Sequence, residues 1–117
     1  MTTEECYEKI GGNYAETYGR FGDDALIRRF AIKFISNKSF QSLEESIAKS
    51  DTQAKFQAAH TFKGVCANLG FDALFSLSSK ITEIFRAGKT EGSEELFSKI
   101  KEQYKITIEN LNELARN

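Results

Sequence analysis

The stretch from Asp51 to Gly70, DTQAKFQAAHTFKGVCANLG, holds the only histidine of a 117-residue chain and decides how the rest is read. Asp51 can cap a helix by accepting hydrogen bonds from its first free N–H groups, and Gly70 can end it because glycine takes positive φ at no steric cost. With His60 set at zero and each residue advanced by about 100°, Gln53, Phe56, Gln57, Lys63, Gly64 and Ala67 fall within about 60° of it. Ala58, Phe62, Val65 and Leu69 fall on the other side, which is the expected core face. His60 therefore points outward into a patch of small or neutral residues, with a lysine one turn away.

That patch suits an anion held on a nucleophilic ring. Histidine ordinarily titrates near pH ~6.5, so the neutral imidazole is the major form at neutral pH. Lys63 follows at i+3, a spacing that brings β-carbons to within about 5–6 Å and lets the ammonium meet an anionic group on the imidazole. Gly64, at i+4, costs a helix interior about 1 kcal/mol relative to alanine, and clearance for a tetrahedral anion or a partner's loop is a reason to bear that cost. Gln57, one turn earlier, can hydrogen-bond a ring nitrogen or an oxygen of the anion.

Ordinary readings stand beside these. A lone histidine is more often a surface or satisfied core residue, and a lone lysine a solvated charge. Gly64 can instead allow close helix packing, although its outward direction argues against that. Phe56 is either core displaced on the wheel or, if exposed, a docking anchor. Cys66 reads as a small buried hydrophobe, Glu83 with Arg86 as a helix-face pair, and Asp23 with Asp24 as capping residues.

Outward from this stretch the chain reads as helices. Thr2 and Glu5 fit a capping box that opens a short helix ending at Gly11-Gly12, and Asn13 with Glu16 opens a second short piece carrying Tyr14 and Tyr18. After Gly22-Asp23-Asp24 a helix over about 24–36 places Ile27, Phe30 and Phe34 on one stripe, with Ala31 beside them. Phe40, Leu43 and Ile47 define the next helix, to about Lys49. Beyond the histidine, Leu74, Leu77, Ile81 and Phe85 recur at helical spacing up to Gly88, and Ser93 with Glu94 and Glu95 opens a last helix buried through Leu96 or Phe97, Ile100, Tyr104, Ile108 and Leu111. The expected fold is all-α: an antiparallel four-helix bundle over about 23–115 with short additional N-terminal helices, a cap of about 1–21, in one domain spanning 1–117.

The totals narrow the function classes. A formal net charge of −1 offers no electrostatic reason to expect nucleic acid or a membrane surface as partner. Apolar runs are short and the N-terminus, Met1-Thr2-Thr3-Glu4-Glu5, is acidic where a signal peptide is basic and then greasy, so a cytoplasmic location is expected. Cys6 and Cys66 lack metal-ligand spacing and read as reduced thiols; no metal site is expected.

The combination Ala59-His60, two residues, Lys63-Gly64, four residues, Leu69-Gly70 resembles the signature of histidine-containing phosphotransfer (HPt) domains. Tyr18-Gly19-Arg20-Phe21-Gly22-Asp23 before a helix, Leu43, Asp51, and Leu74 through Arg86 also look like that family's layout, so the likeness covers roughly residues 14 to 90. Phe62 stands where the family often has leucine, as does Thr82 before Glu83; both departures concern packing. The resemblance implies a helical bundle whose histidine accepts a phosphoryl group from an aspartyl phosphate on a receiver domain and passes it to another aspartate. His60 would be that carrier, phosphorylated on Nε2, with Lys63, Gly64 and Gln57 supporting and Phe56, Gln53 and Ala67 meeting the partner. The protein would be a phosphocarrier and not an enzyme, with no cofactor of its own; Mg²⁺ would come with the receiver, because no carboxylate lies on the face of His60. Response-regulator receivers and a sensor or hybrid histidine kinase are the implied partners, and a monomer is expected. Two other readings are the phosphotransfer domain of a longer sensor or chemotaxis-type kinase, and a bundle that binds receivers or kinases without transfer. A free-standing protein is expected, since the chain begins at methionine and both ends read as finished helices.

Overall fold

The structure, a computed structural model, describes residues 1–116. Seven α-helices follow in order among them: α1 (Thr3–Lys9), α2 (Tyr14–Phe21), α3 (Asp24–Lys33), α4 (Ser39–Ile47), α5 (Thr52–Leu69), α6 (Asp72–Arg86) and α7 (Ser93–Ala115), with a 3₁₀ turn over Phe34–Ser36. No strand occurs among the described residues. The connections around α5 and α6 are short, so α4 to α7 alternate in direction and form the expected antiparallel four-helix bundle.

Aromatic residues fill the centre. Phe40 of α4 stacks on Tyr104 of α7 with centroids 3.9 Å apart, and Phe62 of α5 meets Phe40 at 5.9 Å. Phe34 packs edge-on against Phe71 at 5.2 Å and against Tyr104 at 5.7 Å. Around these rings Ile27, Ala31, Leu43, Leu74, Ile81, Ile100 and Leu111 are buried. Burying each large apolar side chain contributes roughly 1.5–3 kcal/mol, so this continuous core dominates the stability of the bundle.

Two expectations are corrected. The helix expected over 24–36 is α-helical only to Lys33 and then tightens into the 3₁₀ turn, with the N–H of Asn37 donating to the Phe34 carbonyl at 3.0 Å. Phe30, expected on the buried stripe, is 39 % exposed, while Ile27, Ala31 and Phe34 line the core. Ser93 opens α7 as expected, with Glu94 and Glu95 in its first turn; its hydroxyl donates backward to the Thr90 carbonyl at 2.6 Å, and Gly92, at φ 85°, takes the cap position.

Candidate functional site

Each end of the site helix is fixed by its own sequence. Asp51 Oδ1 accepts from the N–H groups of Gln53 (2.9 Å) and Ala54 (3.3 Å), satisfying donors that a helix start leaves free. At the other end Gly70 adopts φ 71°, its N–H donates to Ala67 and that of Phe71 to Cys66, which closes the last turn. The N-terminal helices hold this turn from outside. Tyr7 Oη donates to the Leu69 carbonyl at 2.6 Å, and the N–H of Asn13 donates to the Gly70 carbonyl at 2.8 Å. Arg20 donates to the Ala67 carbonyl at 3.3 Å.

Rotation of α5 about its axis is set by what it buries. Ala59, Phe62 and Cys66 are fully buried and Leu69 nearly so, whereas Ala58 and Val65, expected in the core, are half-buried. The buried stripe lies about one residue round from the expected one because α5 is packed between α4 and α6, and a helical side chain covers surface displaced from its own Cα. The shift leaves His60 outward: Gln53, Gln57, His60, Gly64 and Ala67 are exposed on one face, with Phe56 and Lys63 half-buried at its edge. Among the described residues the imidazole has no hydrogen-bond partner, so both ring nitrogens are open to an incoming group.

Lys63 is not a freely solvated charge. Its ammonium lies 6.0 Å from the centroid of the Phe75 ring on α6, so the side chain is carried along the α5–α6 seam. Gly64 has open space where a β-carbon would stand, with no heavy atom within 4 Å. Packing inside the chain therefore does not explain this glycine, which leaves clearance for something outside it. Phe56 combines the two readings left open for it: its ring packs against the core yet faces the imidazole, with centroids 5.7 Å apart and planes 20° from parallel. The Arg86 guanidinium carbon lies 4.8 Å from the same ring, and Arg86 Nε donates to both carboxylate oxygens of Glu83 at 3.1 Å.

Other titratable groups are committed elsewhere. Burial pushes the Cys6 thiol up to about 11 and the Cys66 thiol still further above the ordinary range, which makes both poor nucleophiles. Among the described residues no three His, Cys, Asp or Glu side chains gather as a metal site would need. Asp51 is used as a cap and Glu83 by Arg86, so the site offers Mg²⁺ no free carboxylate pair.

Sequence reasoning missed a groove of about 460 Å³ beside the C-terminal half of α5, lined by Arg20, Phe21, Phe30, Lys33, Val65 and Asn68 among others. No carboxylate is among its described lining residues. Phe21 and Phe30 meet edge-on at 5.8 Å, and Arg29 and Lys33 hold cations 5.7 and 5.3 Å from the Phe30 centroid. The signal was the aromatic residue between basic neighbours, which fits a wet, cation-flanked surface better than a core.

Comparison with protein families finds that the model described as "Hpt domain" matches residues 36–115, more than half of the chain and all of α4 to α7. No curated protein and no solved structure matches.

Proposed function

Because the chain belongs to the Hpt domain family, whose members carry phosphoryl groups in phosphorelays, we propose that it is a relay intermediary that accepts a phosphoryl group on His60 and hands it on. Donor and acceptor are aspartates of receiver domains, one charged and one not. The carrying observation is the exposed imidazole in the middle of α5, with both nitrogens unengaged, between half-buried Lys63 and a Gly64 that leaves open space.

In this reading Nε2 of the neutral ring attacks the phosphorus of the aspartyl phosphate in line. The nitrogen–phosphorus bond forms as the phosphorus–oxygen bond breaks, and the electron pair leaves with the aspartate carboxylate, while the ring proton stays on Nδ1. A loose transition state needs positioning and charge stabilisation more than covalent help. Lys63 meets the negative oxygens, Gly64 admits them, and Gln57 donates to one of them. No carboxylate is among the exposed residues of the His60 face, so the receiver brings both the metal and the aspartate. The chain is then a carrier whose chemistry is completed by its partner.

Gln53 and Ala67 extend the exposed face on either side of His60 and meet the receiver. The neighbouring groove, apolar with Arg20 and Lys33 at its walls, takes an apolar side chain and a carboxylate of the same partner. Among the described residues no helix is long and apolar enough to cross a membrane. Together with two buried free thiols this fits work in the cytoplasm.

The test mixes the purified protein with a receiver domain charged by a small acyl phosphate and follows acid-labile label. Label on wild type that vanishes in His60→Gln supports the proposal. Cognate receivers that bind the wild type without ever transferring label would leave a binding module in its place.

A further inference from the structure

The imidazole of His60 has one contact that reads as orientation, and it runs across two helices. Phe56, one turn earlier on α5, lies 5.7 Å from it with the rings 20° from parallel. The ring of Phe56 is in turn met by the Arg86 guanidinium of α6 at 4.8 Å. Arg86 is fixed by Glu83, one turn before it, through Nε to both carboxylate oxygens at 3.1 Å. Half-buried Phe56 also packs on the core, so it is not free to follow a swinging histidine. An exposed histidine with no hydrogen bond would otherwise sample several rotamers.

We propose that Phe56 is a positioning residue for phosphoryl transfer. It holds the plane of the imidazole so that a ring nitrogen is presented outward beside Gly64, and the Glu83–Arg86 pair keeps Phe56 in place from α6. This rests on the phosphotransfer reading of His60. It differs from a role for Phe56 as a docking anchor alone, because the ring is contacted within the chain by both His60 and Arg86. Aromatic pairing favours a held orientation by about two- to tenfold, and that factor is the size of effect expected on the rate.

The experiment uses phosphoramidate as donor, so that no partner docks. The nitrogen–phosphorus bond to His60 forms as the donor's own phosphorus–nitrogen bond breaks and ammonia leaves with the electron pair. Wild type, Phe56→Leu, Phe56→Tyr and Arg86→Gln are compared in rate of phosphorylation and in the rotamer populations of His60, read from its Hα–Hβ couplings. Phe56→Leu is expected to spread His60 over several rotamers and to slow labelling about two- to tenfold, with Phe56→Tyr restoring both and Arg86→Gln lying between. A Phe56→Leu variant with unchanged His60 rotamers and unchanged labelling, but weaker binding to a receiver, overturns the proposal and leaves Phe56 a docking contact. If Phe56→Leu fails to fold, exposed Arg86→Gln decides the same question: no change in rotamers or rate overturns it. Wild type that takes no label from phosphoramidate or from a receiver sinks the phosphotransfer reading, and the rotamer populations still decide whether Phe56 orients the ring.

Discussion

The N–H of Asn13 donates to the Gly70 carbonyl at 2.8 Å, which ties the start of α2 to the end of the helix that carries His60. A β-carbon on Gly70 would stand 1.8 Å from Thr17 Oγ1 and 3.3 Å from the Asn13 carbonyl oxygen, and the residue adopts φ 71°. Thr17 is buried and its hydroxyl is bonded to that same carbonyl at 2.8 Å, so it has nowhere to go. Gly70→Ala is therefore expected to lower stability by at least about 2 kcal/mol, measured by urea unfolding. A loss below about 0.5 kcal/mol would mean that the clamp on α5 is soft.

Gly64 predicts the opposite balance. Its helical backbone and empty surroundings accept an alanine, so Gly64→Ala should raise stability by about 0.5–1 kcal/mol. Transfer from a charged receiver should slow in the same variant, and more so in Gly64→Gln. Equal transfer rates across the three proteins would remove the clearance argument. The two glycines thus separate a structural role from a functional one within a single helix.

Lys63→Ala should slow transfer by roughly tenfold, less than the about 10²–10³ lost when an enclosed donor is removed from a developing anion, because this ammonium is only half-buried. Lys63→Arg should retain part of the rate. Circular dichroism should be unchanged, since the lysine is half-buried at the edge of the site face and does not fill the core. A rate that survives Lys63→Ala intact would assign the charge stabilisation wholly to the receiver.

Alkaline pH should loosen the bundle, the site helix included, since Cys66 lies on α5. Burial raises the Cys6 thiol from 9.0 to about 11, and it also raises Cys66 and the hydroxyl of Tyr7. The unfolded chain then releases protons that the folded one keeps, so stability falls as pH rises. This contribution is present in full below about pH 9, where the unfolded thiol ionises, and is lost as pH approaches about 11. Each group adds a slope of up to about 1.4 kcal/mol per pH unit. Urea midpoints from pH 7 to 11 should show the decline, and a Cys6→Ala, Cys66→Ala double variant should show a shallower one.

Much of this was legible in sequence where a signal lies within one helix. Asp51 and Gly70 bound α5 as their cap chemistry implies, and the outward direction of His60 follows from the 3.6-residue period. The glutamate and arginine at 83 and 86 pair as i,i+3 spacing suggests. What was not legible depends on neighbours distant in sequence. The meeting of Phe56 with Arg86 needs the α5–α6 packing, and the groove needs α2 and α3 laid beside α5. Phe30 misled because periodicity records only that a residue is apolar; the basic neighbours Arg29 and Lys33, whose cations lie over its ring at the surface, were the sequence signal that periodicity passes over. Ser93 opens α7 as read, but the partner of its hydroxyl, the Thr90 carbonyl, lies in the turn before the helix.

If His60 carries a phosphoryl group from one aspartate to another, the phosphorylated protein must be able to pass it onward. The protein is phosphorylated, freed of donor, and mixed with an uncharged receiver, while label on both chains and free phosphate are followed over time. Label is expected to leave this chain and appear on the receiver faster than free phosphate accumulates, with no label on His60→Gln at any stage. Label that stays on this chain until it hydrolyses, beside receivers that bind but remain unlabelled, would contradict it.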